Sequence, residues 1–394
     1  MDSVKYKQMT NDSNVTLSGT FLDENSTSIM DASNFSSNST GSGHGLQGGL
    51  MHFSEVYKNI HGGLAVTICI FGIVANILNI IVLTRKSMRT STNFILTALA
   101  VSDGLTMAAY LPFALQYYCV YGTNPSLERD TLAAAQFLLF YANFSVTVHT
   151  VSVWLTVTLA VFRYLYIGWP RHGQVLCSIE RAKMAIGLNY FLCPVFCIPN
   201  YITLGISNNS GYWGVETKSE PAYQMTIRTF YFWEHAFLLK LIPCFILTIM
   251  SILLVKGMKD AEKRRLKLGG HNQTNNVSRM NQNVRGKKTN RTTRMLLVVV
   301  ILFVITELPQ GILNLISGLD SEVFQNVYTP LGDLMDIIAL TNSGINFILY
   351  CTMSKQFRTT FIELFFKPLQ DEARKFTIVA TNELTLAGDG SSDV

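Results

Sequence analysis

The sequence predicts an all-α membrane protein, a bundle of seven transmembrane helices followed by a short amphipathic helix. Of its 394 residues 48% are hydrophobic and only 14% are charged, and the mean hydropathy is +0.26. Soluble domains carry about 25% charged residues. The charged residues gather at the chain ends and in one basic block, 256–294, with long uncharged stretches between them. This distribution argues against a soluble enzyme.

Seven stretches are long and apolar enough to cross a bilayer, since its hydrocarbon core requires about 20 apolar residues in a helix. Lipid cannot satisfy backbone amides, so each stretch is expected to be helical. The segments between them contain turn-forming residues, for example Asn124-Pro125-Ser126 and Ser207–Gly211. The predicted spans are Gly62–Thr84, Phe94–Tyr118, Thr131–Phe162, Met184–Leu204, Tyr231–Val255, Met295–Leu319 and Tyr328–Met353.

The loop charges predict the orientation, because Lys and Arg are enriched in cytoplasmic loops. The first, third and fifth loops are basic, whereas the others are neutral or acidic. The chain is therefore expected to be a multi-pass protein of the plasma membrane with its N-terminus outside the cell. The predicted organisation is a disordered extracellular tail over 1–58, a seven-helix domain over 59–366 and a disordered cytoplasmic tail over 367–394.

The N-terminal tail is expected to be glycosylated, because it carries five Asn-x-Ser/Thr acceptor triplets. Its Ser, Asn and Gly content cannot supply a hydrophobic core. A tail of this composition also produces such triplets by chance, and three more occur on the predicted cytoplasmic side. The predicted acceptors are Asn11, Asn14, Asn25, Asn34 and Asn38.

Ionisable side chains within the spans are costly, which makes each of them a functional candidate. Counted from the cytoplasmic ends, His149, Lys240 and Glu307 lie at depths of about 21, 24 and 20 Å, near the middle of the membrane. A buried carboxylate without a cation is unfavourable. We therefore predict that Glu307 contacts Lys240 or His149. The alternative is that each faces a different neighbour or a water molecule.

Two acidic residues of the seventh span lie nearer the outer surface. Asp336 is about 28 Å above the cytoplasmic end, and Asp333 lies higher. If these two aspartates line a cavity that is open to the outside, they form an acidic wall of that cavity. Such a wall favours a cationic ligand group, above all an arginine, which binds a carboxylate through two parallel hydrogen bonds. The alternative is that both aspartates meet water at the mouth of the bundle. The predicted ligand-binding residues are Asp336, His149, Glu307, Gln310, His235, Asp333, Tyr141 and Gln116.

Other functional classes receive less support. The basic block lacks the interleaved aromatic residues of a nucleic-acid-binding surface, so no nucleic-acid partner is expected. The sequence contains no Gly-x-Ser-x-Gly, no His-Glu-x-x-His and no phosphate-binding loop, so no enzyme activity is expected. A transporter would show paired repeats and interrupted spans, and it is kept as an alternative.

Several motifs, in the same order and spacing, resemble the rhodopsin-like G-protein-coupled receptors over residues 60–366. A short amphipathic segment, Lys355–Phe366, follows the seventh span as in that family. The motifs are Gly72-Ile-Val-Ala-Asn76, Leu99-Ala-Val-Ser-Asp103, Phe162-Arg163-Tyr164, Thr306-Glu307-Leu308-Pro309 and Asn346-Phe347-Ile348-Leu349-Tyr350.

Within this family, Thr306–Leu313 and Gly168-Trp169-Pro170 look like invertebrate, above all nematode, receptors for myosuppressin and FMRFamide-like neuropeptides. The resemblance implies a short peptide ligand ending in Arg-Phe-amide, whose arginine would meet the acidic wall and whose phenylalanine would enter an aromatic pocket. A nematode chemoreceptor for small environmental molecules is the alternative.

The resemblance also implies intracellular partners. A heterotrimeric G protein of the inhibitory type would contact Arg163, Tyr164 and Tyr350. Arrestin and membrane lipid are further expected partners, and Ser392-Asp393-Val394 at the C-terminus resembles a PDZ ligand. The only ion implied is an allosteric sodium, because Asp103, Ser152, Asn342, Ser343 and Asn346 match the sodium pocket of the family. A water-filled network would use the same residues.

The chain departs from the family pattern in ways that affect activation. Phe162 replaces the acidic residue before Arg163. The usual inactive-state salt bridge is therefore not expected, and the receptor is expected to have measurable basal activity. Glu307 replaces a tryptophan, which makes the sixth-span switch polar, and Phe347 replaces a proline and removes one cause of a kink.

The second outer loop also departs from the family pattern. Leu138 replaces the cysteine that usually joins this loop to the third span. The loop is therefore expected to be unclamped, or held by packing of Tyr212 and Trp213.

Overall fold

A computed structural model describes residues 43–122, 126–209, 211–218, 233–269, 297–298, 300–316 and 323–368. Several predicted features lie outside these residues. They are the glycosylation acceptors Asn11, Asn14, Asn25, Asn34 and Asn38, the part of the basic block from 270 to 294, and the C-terminal Ser392–Val394.

The described residues form a helical bundle that follows the predicted spans and confirms the seven-helix architecture. Six helices are long and apolar enough to cross a membrane, and a further apolar helix, Val300–Ile316, is shorter. We call the main helices the first to seventh spans in chain order. They are Gly43–Leu83, Ser91–Ala114, Leu132–Gly168, Ile179–Phe196 (continued by Ile198–Thr203), Ile242–Gly269, Val300–Ile316 and Thr329–Met353.

The first span begins at Gly43 rather than at Gly62. Residues 43–58, which we predicted to belong to a disordered tail, are therefore helical. The apolar pattern explains the longer helix, because Tyr57 is buried and its ring stacks on Phe53 at a centroid distance of 5.5 Å.

Three spans carry a π-helical turn at one end of the bundle: Leu115–Val120, His235–Leu241 and Phe324–Tyr328. An antiparallel hairpin, β1 (Leu204–Asn209) and β2 (Tyr212–Thr217), lies at the same end. The predicted turn at Ser207–Gly211 is thus the tip of a hairpin that was not predicted. We call this end the hairpin end, and the opposite end, which carries Arg85, Lys86 and Arg89, the basic end.

The hairpin is attached to the bundle without a disulfide, since all seven cysteines are free thiols. The backbone N–H of Trp213 donates to the carbonyl of Asp130 at 2.9 Å. The side chain of Asp130 is itself held by Arg129 through two hydrogen bonds of 2.7 and 3.0 Å. The Tyr212 side chain is exposed and Trp213 is half-buried, whereas Leu204 and Val215 of the hairpin are buried in the core of the bundle. The hairpin is therefore held by these two apolar side chains as well as by backbone hydrogen bonds.

The short helix Lys355–Phe365 follows the seventh span as predicted and packs its apolar face against the bundle. Phe347 of the seventh span, which stands where the family has proline, contacts Phe357 and Phe361 of this helix at centroid distances of 6.0 and 5.7 Å. This aromatic contact fixes the junction between the two helices.

Candidate functional site

A buried ion pair joins the fifth and sixth spans in the middle of the bundle. The Lys240 Nζ atom lies 2.5 Å from Oε2 of Glu307, and the two side chains are only 7% and 1% exposed. The contact predicted from the depth and cost of these charges is therefore confirmed. We call Lys240, Glu307, Gln310 and His149 the central cluster.

Lys240 has three polar neighbours for its three N–H donors. Besides Glu307, they are Oε1 of Gln310 at 2.9 Å and Nε2 of His149 at 3.3 Å. The same His149 nitrogen lies 3.4 Å from Oε1 of Glu307. His149 accepts from Lys240 in the tautomer that leaves Nε2 unprotonated, and Oε1 of Glu307 is then buried without a hydrogen-bond partner among the described residues. The central cluster is a compact network in which the ammonium group is fully coordinated.

Local sequence features bring these side chains together. Lys240 lies in the π-helical turn His235–Leu241, and π-bulges are frequent at functional sites. Glu307 and Gln310 are three residues apart and so share one face of the sixth span. Gly311 leaves room for the lysine stem, because a Cβ atom there would lie only 3.0 Å from Cβ of Lys240.

A second polar cluster lies at the hairpin end, between the first, second and seventh spans. The Tyr118 hydroxyl donates to Oδ1 of Asp333 at 2.6 Å, and the Tyr110 hydroxyl donates to Oδ2 of Asp336 at 3.4 Å. Asp336 is 1% exposed, so it does not meet water at the mouth of the bundle. We call Asp333, Asp336, Tyr110, Tyr118 and His61 the acidic cluster.

His61 of the first span was not predicted to take part in a site. Its side chain is fully buried, and Nε2 lies 2.9 Å from the Tyr110 hydroxyl oxygen. Because that hydroxyl donates its single proton to Asp336, its oxygen accepts from Nε2–H of His61. The other ring nitrogen, Nδ1, is then a buried acceptor without a hydrogen bond in the described part of the chain. His61 was missed because the predicted first span began one residue after it.

The acidic cluster has unsatisfied acceptors. Like Nδ1 of His61, Oδ1 of Asp336 is buried without a hydrogen-bond partner among the described residues. No Lys or Arg in these residues forms an ion pair with Asp333 or Asp336. Burial of an ionised carboxylate without a cation is costly. A guanidinium or ammonium group, which only donates hydrogen bonds, matches this set of acceptors.

Tyr328 lies between the two clusters. It is almost completely buried and lies close enough to interact with Gln310 on one side and with Asp336 on the other. No hydrogen bond joins Tyr328 to Gln310 or to Asp336 in the described residues, so the two clusters are neighbours rather than one hydrogen-bonded chain. Tyr328 was not predicted as a site residue, because it stands at the predicted start of the seventh span.

The remaining predicted ligand-binding residues differ in their positions. Tyr141 is buried, stacks on Phe113 at a centroid distance of 4.7 Å and borders Tyr110 at 6.1 Å. Gln116 is half-buried in the π-helical turn Leu115–Val120. His235 begins the π-helical turn of the fifth span, and its side chain lies outside the described residues.

The residues that match a sodium pocket form a third cluster, deeper in the bundle. Ser152 donates to Oδ1 of Asp103 at 2.6 Å, and the Asn346 amide donates to Oδ2 at 3.0 Å. Ser343 is buried beside them, whereas no hydrogen bond joins Asn342 to Asp103 in the described residues. The oxygen atoms of Asp103, Ser152 and Ser343 fit a hard cation, which would take the place of donors that now satisfy the carboxylate.

Arg163 at the basic end has no carboxylate within ion-pair distance among the described residues. It is half-buried, and its Nε atom has no hydrogen-bond partner in the same part of the chain. Tyr164 is also half-buried, and Tyr350 is buried against Phe357 at a centroid distance of 5.6 Å. The residues before the sixth span, where the family has a second partner for this arginine, lie outside the described part of the chain, so the absence of the usual salt bridge stays a prediction.

Comparisons with known proteins agree with this architecture. The model of one family, serpentine-type seven-transmembrane G-protein-coupled receptor chemoreceptor Srw, matches residues 64–368. The chain is 30% identical over 349 residues to the G-protein-coupled receptor dmsr-1 of Caenorhabditis elegans, which covers 78% of this chain and 68% of that receptor.

Two insect receptors are also similar. The sex peptide receptor of Drosophila melanogaster is 31% identical over 345 residues, covering 82% of this chain and 77% of the receptor. The Drosophila FMRFamide receptor is 21% identical over 348 residues, which cover 82% of this chain and 56% of that receptor. These relatives are receptors rather than enzymes, as the sequence predicted. The chain belongs to the serpentine-type seven-transmembrane G-protein-coupled receptors.

Proposed function

We propose that this receptor recognises a short amidated peptide ending in Arg-Phe-amide, which binds at the hairpin end. The observation that carries the proposal is the buried Asp336 carboxylate, whose Oδ1 has no hydrogen-bond partner in the described residues. The peptide arginine supplies the cation, and Asp333, one helical turn away, supplies a second carboxylate. The phenylalanine ring is placed against Phe113 and Tyr141, whose buried, stacked rings must separate to admit it. The names of the sex peptide and FMRFamide receptors among the relatives support a peptide ligand.

In this proposal the hairpin end faces outside the cell, and the N-terminal tail is extracellular and glycosylated. The basic end faces the cytoplasm, because basic loops are retained there. Arg163, Tyr164 and Tyr350 then contact a heterotrimeric G protein of the inhibitory type, and arrestin is a further partner. Sodium bound at Asp103 is a regulatory ion in the same scheme, and Gln116 and His235 are further ligand contacts.

Amidated peptides ending in Arg-Phe are expected to activate the receptor at nanomolar concentration, whereas their free-acid forms are not. An added carboxylate at the peptide C-terminus would lie near the acidic cluster, where Asp333 and Asp336 disfavour a further negative charge. The measurement is a calcium response in cells that co-express a promiscuous G protein. Silence toward all amides, with surface expression verified, would contradict the proposal.

A chemoreceptor for small environmental molecules is the second candidate, because the matching family model is described as a chemoreceptor family. The same cells distinguish the two candidates. Responses to odorants in the absence of any peptide response would favour the chemoreceptor.

Basal signalling is expected to be measurable in the absence of ligand. Arg163 has Phe162 beside it instead of an acid and makes no ion pair within the described residues, so one restraint on the inactive state is missing. Introducing the missing acid by Phe162→Asp should lower basal signalling without lowering the surface level. Equal basal signals from wild-type and mock-transfected cells would show that Arg163 is restrained in another way.

A further inference from the structure

A groove of about 450 Å³ lies at the basic end, on the outer face of the bundle between the first, second and fourth spans. Its apolar wall includes Leu83, Phe94, Val101 and Ile186. The volume is within the range of cavities that bind small molecules. The groove is far from the acidic and central clusters, so the proposed peptide site does not use it.

Two cationic side chains, Arg89 and Lys183, complete the lining of this groove. Arg89 comes from the first loop and Lys183 from the beginning of the fourth span, and both are exposed. The Lys183 ammonium lies 5.4 Å from the centre of the Phe94 ring. Neither side chain forms an ion pair in the described part of the chain, and none of the lining residues is acidic. The groove is therefore apolar along its length and positive at its rim.

The surroundings of the groove face the hydrocarbon of the membrane. Met184 and Leu188 on the fourth span are 70% and 55% exposed. Large exposed apolar side chains on a membrane-spanning helix indicate contact with lipid. An occupant must therefore combine an apolar body, which can enter from the bilayer, with an anionic group at the membrane surface.

We propose that this groove is a binding site for one anionic glycerophospholipid. An acyl chain occupies the apolar wall, and Arg89 and Lys183 bind the phosphate and the anionic headgroup. Arginine offers the phosphate a pair of parallel hydrogen bonds, whereas lysine acts as a point charge. Attraction of a basic membrane surface for anionic lipid is general, but a pair of unpaired cations on one apolar groove predicts a specific, saturable site.

The test uses the full-length receptor purified in a neutral detergent and titrated with phosphatidylserine or phosphatidylcholine. Native mass spectrometry counts the lipid molecules that remain bound. We expect one phosphatidylserine to be retained in preference to phosphatidylcholine. Arg89→Gln combined with Lys183→Gln should weaken the binding of phosphatidylserine about 30-fold, because the loss of each cation weakens binding about fivefold.

The matched control combines Lys86→Gln with Arg181→Gln, which removes two exposed cations of the same end that do not line the groove. This variant should retain the lipid as the wild type does. Ala98→Phe, which adds volume to the groove wall and keeps both cations, should reduce retention. Equal loss in the two double variants, or equal retention of both lipids, would overturn the proposal. If Ala98→Phe does not fold, the comparison of the two double variants still tests whether Arg89 and Lys183 bind the lipid.

Discussion

Lys240→Met is expected to lower the melting temperature of the purified receptor by on the order of 10 °C, because the free energy of unfolding falls by about 3–5 kcal/mol. The change leaves Glu307, which is 1% exposed, in the middle of the bundle without its ammonium partner. Methionine retains an unbranched stem of similar length, so the loss reports the charge rather than a cavity. A thermal unfolding curve in detergent, together with surface expression in cells, measures the effect.

The double variant Lys240→Met, Glu307→Leu separates the ion pair from its two members. Replacing both partners of a buried pair by apolar groups is often neutral, whereas removing one partner is not. We therefore expect the double variant to recover most of the lost stability. Lys259→Met is the matched control, because this lysine is exposed on the same span, and its replacement should change the melting temperature little. Additive losses in the double variant would contradict the assignment of the ion pair.

The ion pair also predicts a functional phenotype that stability does not explain. It links the fifth and sixth spans directly, and Gln310 adds a second hydrogen bond between them. A stable double variant keeps the fold but lacks the ionic link between the fifth and sixth spans. Agonist binding should therefore persist in this variant, while the maximal G-protein signal falls. This outcome is expected if a ligand at the hairpin end favours the active arrangement through differential affinity and the ion pair transmits that change.

The spans and the central cluster could be predicted from the sequence because both depend on local, additive costs. Apolar length fixes where helices form, and the rise per residue converts chain position into depth. Those depths brought His149, Lys240 and Glu307 to one level, and the high cost of separate buried charges then predicted their contact. Gln310 was predicted only as a ligand-binding residue, and its place beside Lys240 was not foreseen.

The features that were not predicted depend on contacts between distant segments. The hairpin requires pairing of Leu204–Asn209 with Tyr212–Thr217, and its attachment requires the carbonyl of Asp130. The π-helical turns change the direction of side chains without any signature in the hydrophobic pattern. His61 became part of the site only because the first helix extends beyond its apolar core, where packing of Tyr57 stabilises it.

Asp336→Asn is expected to reduce the potency of an Arg-Phe-amide agonist at least about 30-fold, because losing one member of a buried hydrogen-bonded charge pair costs about 2–5 kcal/mol. Asparagine preserves the size of the side chain and its hydrogen bond with Tyr110, so surface expression should stay close to that of the wild type. Asp333→Asn should have a smaller effect, since Asp333 is half-buried and already accepts a hydrogen bond of 2.6 Å from Tyr118. The measurement is the concentration of peptide that gives half-maximal calcium response in cells matched for receptor number.

A peptide in which citrulline replaces arginine completes a double-mutant cycle with Asp336→Asn. Citrulline keeps the shape and most N–H donors of arginine but has no charge. If the guanidinium meets Asp336, the neutral peptide loses potency at the wild type and loses little more at the variant. Independent, additive losses would instead mean that Asp336 affects potency indirectly, by supporting the folded structure. Unchanged potency of the arginine peptide at Asp336→Asn would mean that Asp336 is not part of the binding site. The first of these outcomes is the one expected if Oδ1 of Asp336, which has no partner within the described residues, receives the guanidinium.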